Sequence, residues 1–92
     1  MGRMRKLSEE ERDSERVRLY EDLSAGRVGI PDAVRRMRAV AGMSQDEYAS
    51  RVAGISKTAL AQIERGTGNP RLSTLRAIGA AFGLDVGFVR SE

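Results

Sequence analysis

The stretch from Ser44 to Glu64, SQDEYASRVAGISKTALAQIE, constrains the fold more than any other, because it carries two helix starts and a chain reversal in quick succession. Ser44 and Glu47 are spaced as a capping box: the serine oxygen accepts from the Glu47 amide and the Glu47 carboxylate accepts from the Ser44 amide. Met43 before the cap and Tyr48 in the first turn fit the matching hydrophobic staple. Ala49 and Val52 continue the apolar stripe, and Gly54 supplies a residue that tolerates positive φ. Ser56 can cap a second helix bearing Leu60 and Ile63. The pattern predicts a helix, a sharp turn and a second helix.

The chain has 92 residues, enough for one domain with a modest core, to which self-association would add stability. Aromatic residues are 4% of the sequence and tryptophan is absent, so the core must be built from Leu, Ile, Val, Met and Ala. That composition suits a small helical bundle. The absence of cysteine and histidine removes disulfides, thiol nucleophiles and the commonest metal ligands, and no cofactor is expected. No paired groups suggest general acid/base or nucleophilic catalysis, and no GxxxxGK[ST] phosphate loop occurs, so an enzyme is not expected.

No apolar run approaches the roughly 18 residues of a membrane span, and the opening MGRMRKLSEEER lacks the apolar centre of a secretory signal. The expectation is a soluble, cytoplasmic protein with no membrane partner. Residues 1–25 hold six basic and seven acidic groups, whereas residues 26–92 hold ten basic and six acidic. The basic excess of the later part favours a polyanionic partner.

The N-terminal quarter is dense in charge. Ser8 and Glu11 form another capping box, from which a helix can run to about Leu23 and end at Gly26. Its apolar stripe is Val17, Tyr20 and Leu23, with Leu19 alongside, so its first half should be solvated. Such an arm either solubilises the chain or takes part in dimerisation or partner binding. After the break at Ala25 to Gly29, Pro31 fits a first helical position and Asp32 complements the helix dipole. Ile30, Ala33, Val34, Met37, Val40 and Ala41 then keep helical spacing, with Arg35, Arg36 and Arg38 between them, and Gly42 ends the segment. A further helix follows Asn69-Pro70, with Leu72, Leu75, Ile78, Ala81 and Phe82 as its stripe and Gly83 as its end. Leu84 to Val89 reads either as a short strand, paired across a two-fold dimer, or as a short helix. The organisation expected is a charged arm over 1–27, a helix-turn-helix domain over 28–84 and a tail over 85–92.

From about Val28 to Leu84 the chain resembles the lambda-repressor and Cro-like helix-turn-helix family, often called the XRE family. The resemblance rests on Gln45 opening the second helix of the domain, Ala49 in its middle, Gly54-Ile55-Ser56 at the turn, and Leu60, Ile63, Glu64, Arg65 and Gly66 closing the third. Asn69-Pro70 and Leu75 fit the entry to the fourth. The turn glycine departs from the usual spacing: Ala49-Ser50-Arg51-Val52-Ala53-Gly54 contains one extra position, so the second helix is either one residue longer or irregular at its end. The resemblance implies an all-α fold, a small lambda-repressor-like helical bundle, here preceded by a charged N-terminal helix and followed by a short C-terminal strand or helix.

It also implies double-stranded DNA as partner. The second helix of the motif fits the major groove, and its exposed side chains reach base edges. The resemblance places Lys57, Thr58 and Gln62 facing bases, with Ala61 against a thymine methyl. Gln pairs with adenine, Lys donates to guanine, and Thr offers a hydroxyl and a methyl. Lys57 is otherwise poorly placed at the positive end of a helix dipole. Phosphate contacts are implied for Gln45 at a helix start and for Arg65, Thr67, Asn69 and Arg71 after the recognition helix. Arg51 and Arg35 either assist or are solvated helix faces. Arg38 and Glu64 match a pair that in this family ties the first helix of the domain to the recognition helix, a structural ion pair.

Three functions compete on the sequence. The first is a sequence-specific transcriptional regulator, expected as a repressor binding an inverted repeat as a homodimer with Lys57–Glu64 in the major groove. The second is a DNA-binding antitoxin with a toxin or other protein partner. The third is a protein-interaction module without DNA binding.

Overall fold

A computed structural model of the chain describes residues 6–90, and among these it is all-helical. The elements are α1 (Glu9–Ser24), α2 (Ile30–Ala41), α3 (Gln45–Tyr48), which runs on as a π-helical turn over Ala49–Ala53, α4 (Lys57–Arg65) and α5 (Leu72–Ala80). They enclose one core in which Leu19, Tyr48, Leu60 and Ile78 are the largest fully buried side chains. No helix among the described residues is long and apolar enough to cross a membrane.

The helix starts follow the local chemistry. Ser8 Oγ accepts from the Glu11 amide at 3.1 Å and Glu11 Oε1 accepts from the Ser8 amide at 2.8 Å. The box at Ser44 and Glu47 repeats the arrangement, at 3.1 and 2.9 Å. The Ser44 main-chain N–H, before the charge of any neighbour, holds the Glu47 carboxyl below its ordinary range. At α4, Ser56 Oγ accepts from the Ala59 amide at 3.0 Å. Gly42 ends α2 with φ 70°, where any side chain would be strained. The Arg12 guanidinium crosses over from α1 to within 2.7 Å of where a Cβ would stand, but as the far end of a flexible chain it can move aside, so the restriction is conformational.

The face α1 presents to the body differs from the expected stripe. Leu19 is completely buried, while Val17 is 57% exposed. Arg12, Leu19 and Leu23 are separated by seven and four residues, which places them on one side of a helix and Val17 on another. That side lies along α2, with Leu23 packed on the core. Two polar links hold the far end. Tyr20 donates its hydroxyl to the Phe82 carbonyl at 2.9 Å, and Asp22 pairs with Arg36 at 2.8 Å and Arg27 at 2.9 Å. Hydrogen bonds from Arg36 and then Arg27 hold the Asp22 carboxyl below its usual value.

The extra position before Gly54 is taken up by the π-helical turn. The Gly54 amide donates to the Ala49 carbonyl, a span of five rather than four residues, so one more residue fits between the same ends. Ser50 bonds back to the Asp46 carbonyl at 3.0 Å. Ala49 and Ala53 both remain buried, and Gly54 turns the chain with φ 68°. Of the two alternatives the spacing left open, the irregular end is the one adopted.

Helix α5 stops at Ala80, earlier than its apolar stripe extends, and a turn carries Phe82 back toward the core. Gly79 is closely approached here by the returning chain, a matter of space and not of φ. The Leu84 amide donates to the Gly79 carbonyl at 2.9 Å, and a Cβ on Gly79 would lie 3.1 Å from the Leu84 carbonyl oxygen. Leu84 to Val89, expected as a short strand or helix, form neither. A strand there needs a second one to pair with, and the described residues offer none.

Candidate nucleic-acid interface

Helix α4 divides into two faces. Leu60, Ile63 and Glu64 are buried, whereas Lys57, Thr58 and Gln62 are exposed and Ala61 is half-buried. At 3.6 residues per turn the last four occupy roughly 140° of arc, so the polar groups form one surface. Their opposite face is fixed in the core by Leu60, which has no exposure at all.

The segment beyond α4 curls beneath this surface. Thr67 donates both its amide, at 2.9 Å, and its hydroxyl, at 3.2 Å, to the Gln62 carbonyl, closing the end of the helix. Gln62, Thr67, Asn69 and Arg71 line a shallow depression of about 360 Å³ together with Ser73 and Thr74 at the start of α5. Arg65 is exposed but does not line it. The depression therefore gathers polar donors from both sides of the α4–α5 loop, a composition suited to phosphate oxygens.

Glu64 lies on the other side of α4 and is only 4% exposed. Arg38 from α2 grips it with both arms, Nε to Oε2 at 2.8 Å and Nη2 to Oε1 at 3.0 Å. This two-pronged geometry is the strongest form of carboxylate recognition. Gln45, at the first position of α3, donates its side-chain amide to the same Oε1 at 3.0 Å. Arg35 donates from Nη1 to the Glu64 main-chain carbonyl and from Nη2 to Asp32 at 3.3 Å. Arg51 is exposed on the π-helical turn, and its charge contributes to lowering the Glu47 carboxyl.

Nine of the sequence-predicted residues thus fall into three places. Lys57, Thr58, Ala61 and Gln62 share the outer face of α4; Thr67, Asn69 and Arg71 gather at the α4–α5 loop; Arg38 and Glu64 meet beneath. Gln45, expected beside phosphate, has one side-chain N–H committed to Glu64. Arg35, read as an accessory or solvated residue, sits at the carbonyl end of α4. The one sequence signal for the latter was its spacing of three from Arg38, which puts both guanidinium groups on the same side of α2.

This arrangement of α3, turn and α4 is that of a helix-turn-helix, and a family model with that description matches residues 34–89. The chain belongs to this family of lambda-repressor and Cro-like, or XRE, proteins. It is accordingly a DNA-binding transcription regulator of the XRE type. No curated protein and no solved structure matches the chain.

Proposed function

We propose that this regulator is a repressor that binds an inverted-repeat operator as a homodimer, with one α4 in the major groove of each half-site. In this reading the DNA-binding unit spans 28–84, with 1–27 as a charged N-terminal segment whose helix α1 packs on its core through Leu19 and 85–92 as a tail. Lys57, Thr58 and Gln62 read base edges, with Ala61 against a thymine methyl. Gln45, Arg65, Thr67, Asn69 and Arg71 grip phosphates and set the register. The observation that carries it is the outer face of α4, where Lys57, Thr58 and Gln62 stand exposed over a helix whose other side is buried. Dimerisation is supported by the apolar residues left uncovered on the tail, above all Phe88 and Val89.

Two substitutions test the division of labour. Gln62→Ala should cost about 1 to 3 kcal/mol at the selected site and relax preference at one base pair. Arg71→Ala should weaken cognate and random duplexes alike and reduce the salt dependence of binding by about one phosphate contact. Affinities measured over a salt series on both duplexes decide the matter. Equal losses on cognate and random DNA for both variants would exclude the assignment.

A further inference from the structure

The end of the recognition helix is held from two sides at once. Its Glu64 carboxylate receives Arg38 of α2 and Gln45 of α3, and its Glu64 carbonyl receives Arg35 of α2. We propose that Arg35 and Gln45 form, on either side of the Arg38–Glu64 pair, a clamp that aims α4 in the groove, and that Arg35 is a positioning residue for base reading rather than a phosphate ligand. The inference rests on the DNA-binding reading given above.

Three observations lead to it. Helix α4 is short, nine residues, and presents Lys57 and Thr58 at one end and Gln62 near the other, so a small tilt displaces every reader together. Packing through Leu60 and Ile63 fixes which side faces inward but is non-directional, whereas hydrogen bonds at Glu64 fix rotation and tilt. A carbonyl at the end of a helix lacks an intrahelical donor and lies at the negative end of the dipole, so a guanidinium there is doubly favourable. Arg35 supplies it across 29 residues of sequence and is itself counter-charged by Asp32. Both commitments make it a poor free cation for DNA. Gln45 differs: an amide nitrogen carries two N–H groups, and Glu64 takes one of them. Among the described residues its side chain has no other hydrogen bond. The remaining N–H is available for the phosphate contact proposed above, so that contact is coupled to the position of α4.

Base contacts depend on the placement of α4, and phosphate contacts release counterions. Positioning and phosphate binding therefore leave different signatures. The test uses the full chain, a duplex carrying the site recovered by selection from random-sequence DNA, and a scrambled duplex of equal length, each titrated over a salt series. Arg35→Ala is expected to lower the cognate-to-scrambled affinity ratio roughly tenfold, the scale of one base contact, with the salt slope unchanged. Arg35→Lys, which keeps one donor for the carbonyl, should recover part of the ratio. Should the alanine variant not fold, Arg35→Met retains the stem, lacks the donors and is expected to behave the same way. A slope reduced by about 0.9 with the ratio intact would make Arg35 a phosphate ligand and overturn the proposal. So would an unchanged ratio and slope. Wild-type protein that shows no salt-dependent DNA binding would instead sink the DNA-binding reading itself, a distinguishable result.

Discussion

Glu64 illustrates how one buried side chain can tie three helices together. Its carboxylate is almost completely buried and is compensated by three donors, two from Arg38 and one from Gln45. A buried ion pair gives little net stability, but removing one partner strands the other charge. Glu64→Ala should therefore cost about 3 to 5 kcal/mol and lower the melting temperature clearly, as followed by circular dichroism. An unchanged melting curve would remove the pair from the account of stability. Tyr48 makes a second residue-level case. Its hydroxyl, wholly inside the protein, donates to the Ile78 carbonyl at 3.1 Å, and burial pushes its pKa from 10.0 up to about 12. A raised folded pKa means that its contribution is complete below the unfolded value and is lost as pH rises from about 10 towards about 12. Tyr48→Phe should cost about 1 kcal/mol at neutral pH, where the Ile78 carbonyl loses its donor. The gap to wild type should narrow in urea denaturation repeated at about pH 11. A constant gap would show that the tyrosine does not set the alkaline limb.

At the scale of elements, the features readable from the sequence are those whose partners are close in the chain. Both capping boxes join residues three apart, and Ser56 caps α4 in the same way. The spacing of α2 and α4 marked their buried faces for the same reason, although Ile30, which opens the α2 stripe, is 47% exposed. The face of α1 was harder, because charged residues surround its few apolar ones, and only packing against α2 selects Leu19 over Val17. Gln45 and Arg35 meet Glu64 across 19 and 29 residues; the spacing of Arg35 from Arg38 puts the two on one side of α2, but that alone does not distinguish an arginine that reaches a carbonyl from one that points to water. The extra position before Gly54 was visible as a departure in spacing, but its accommodation depends on the Ala49 carbonyl accepting from Gly54 instead of Ala53. That physical reading makes a deletion informative. Removing Arg51, which is exposed within the π-helical turn, should let the segment close as an ordinary α-helix, with stability changed by no more than about 1 kcal/mol. Removing Ala61 from α4, which has no residue to spare, turns everything after it by about 100° and takes Ile63 and Glu64 off the core. That variant should fail to fold. Equal tolerance of the two deletions in urea denaturation would refute the π-turn as the place where the insertion is absorbed.

For the whole molecule, an apolar groove lies open where the tail emerges, between the end of α1 and α5. Leu23, Val28, Ile30, Leu75, Val86 and Phe88 are among the residues lining a groove of about 490 Å³ there, and the Phe88 ring is fully exposed. A helix-turn-helix presenting a single α4 reads one half-site, whereas two copies about a two-fold axis read an inverted repeat with half-sites one helical turn apart, about 34 Å. An interface of that symmetry uses the same patch on both copies, so it must be self-complementary. A groove walled in part by the apolar tail meets that condition, since each copy can offer its exposed Phe88 and receive the other's. The proposed homodimer therefore predicts that sedimentation finds twice the monomer mass at tens of micromolar protein, and that Phe88→Glu shifts the population to monomer. The same substitution should reduce affinity for an inverted repeat far more than for a single half-site, because α4 and its clamp lie elsewhere in the fold. Equal losses on the two duplexes would mean that Phe88 acts on the reading head itself, and a monomeric wild type with asymmetric footprints would exclude the dimer.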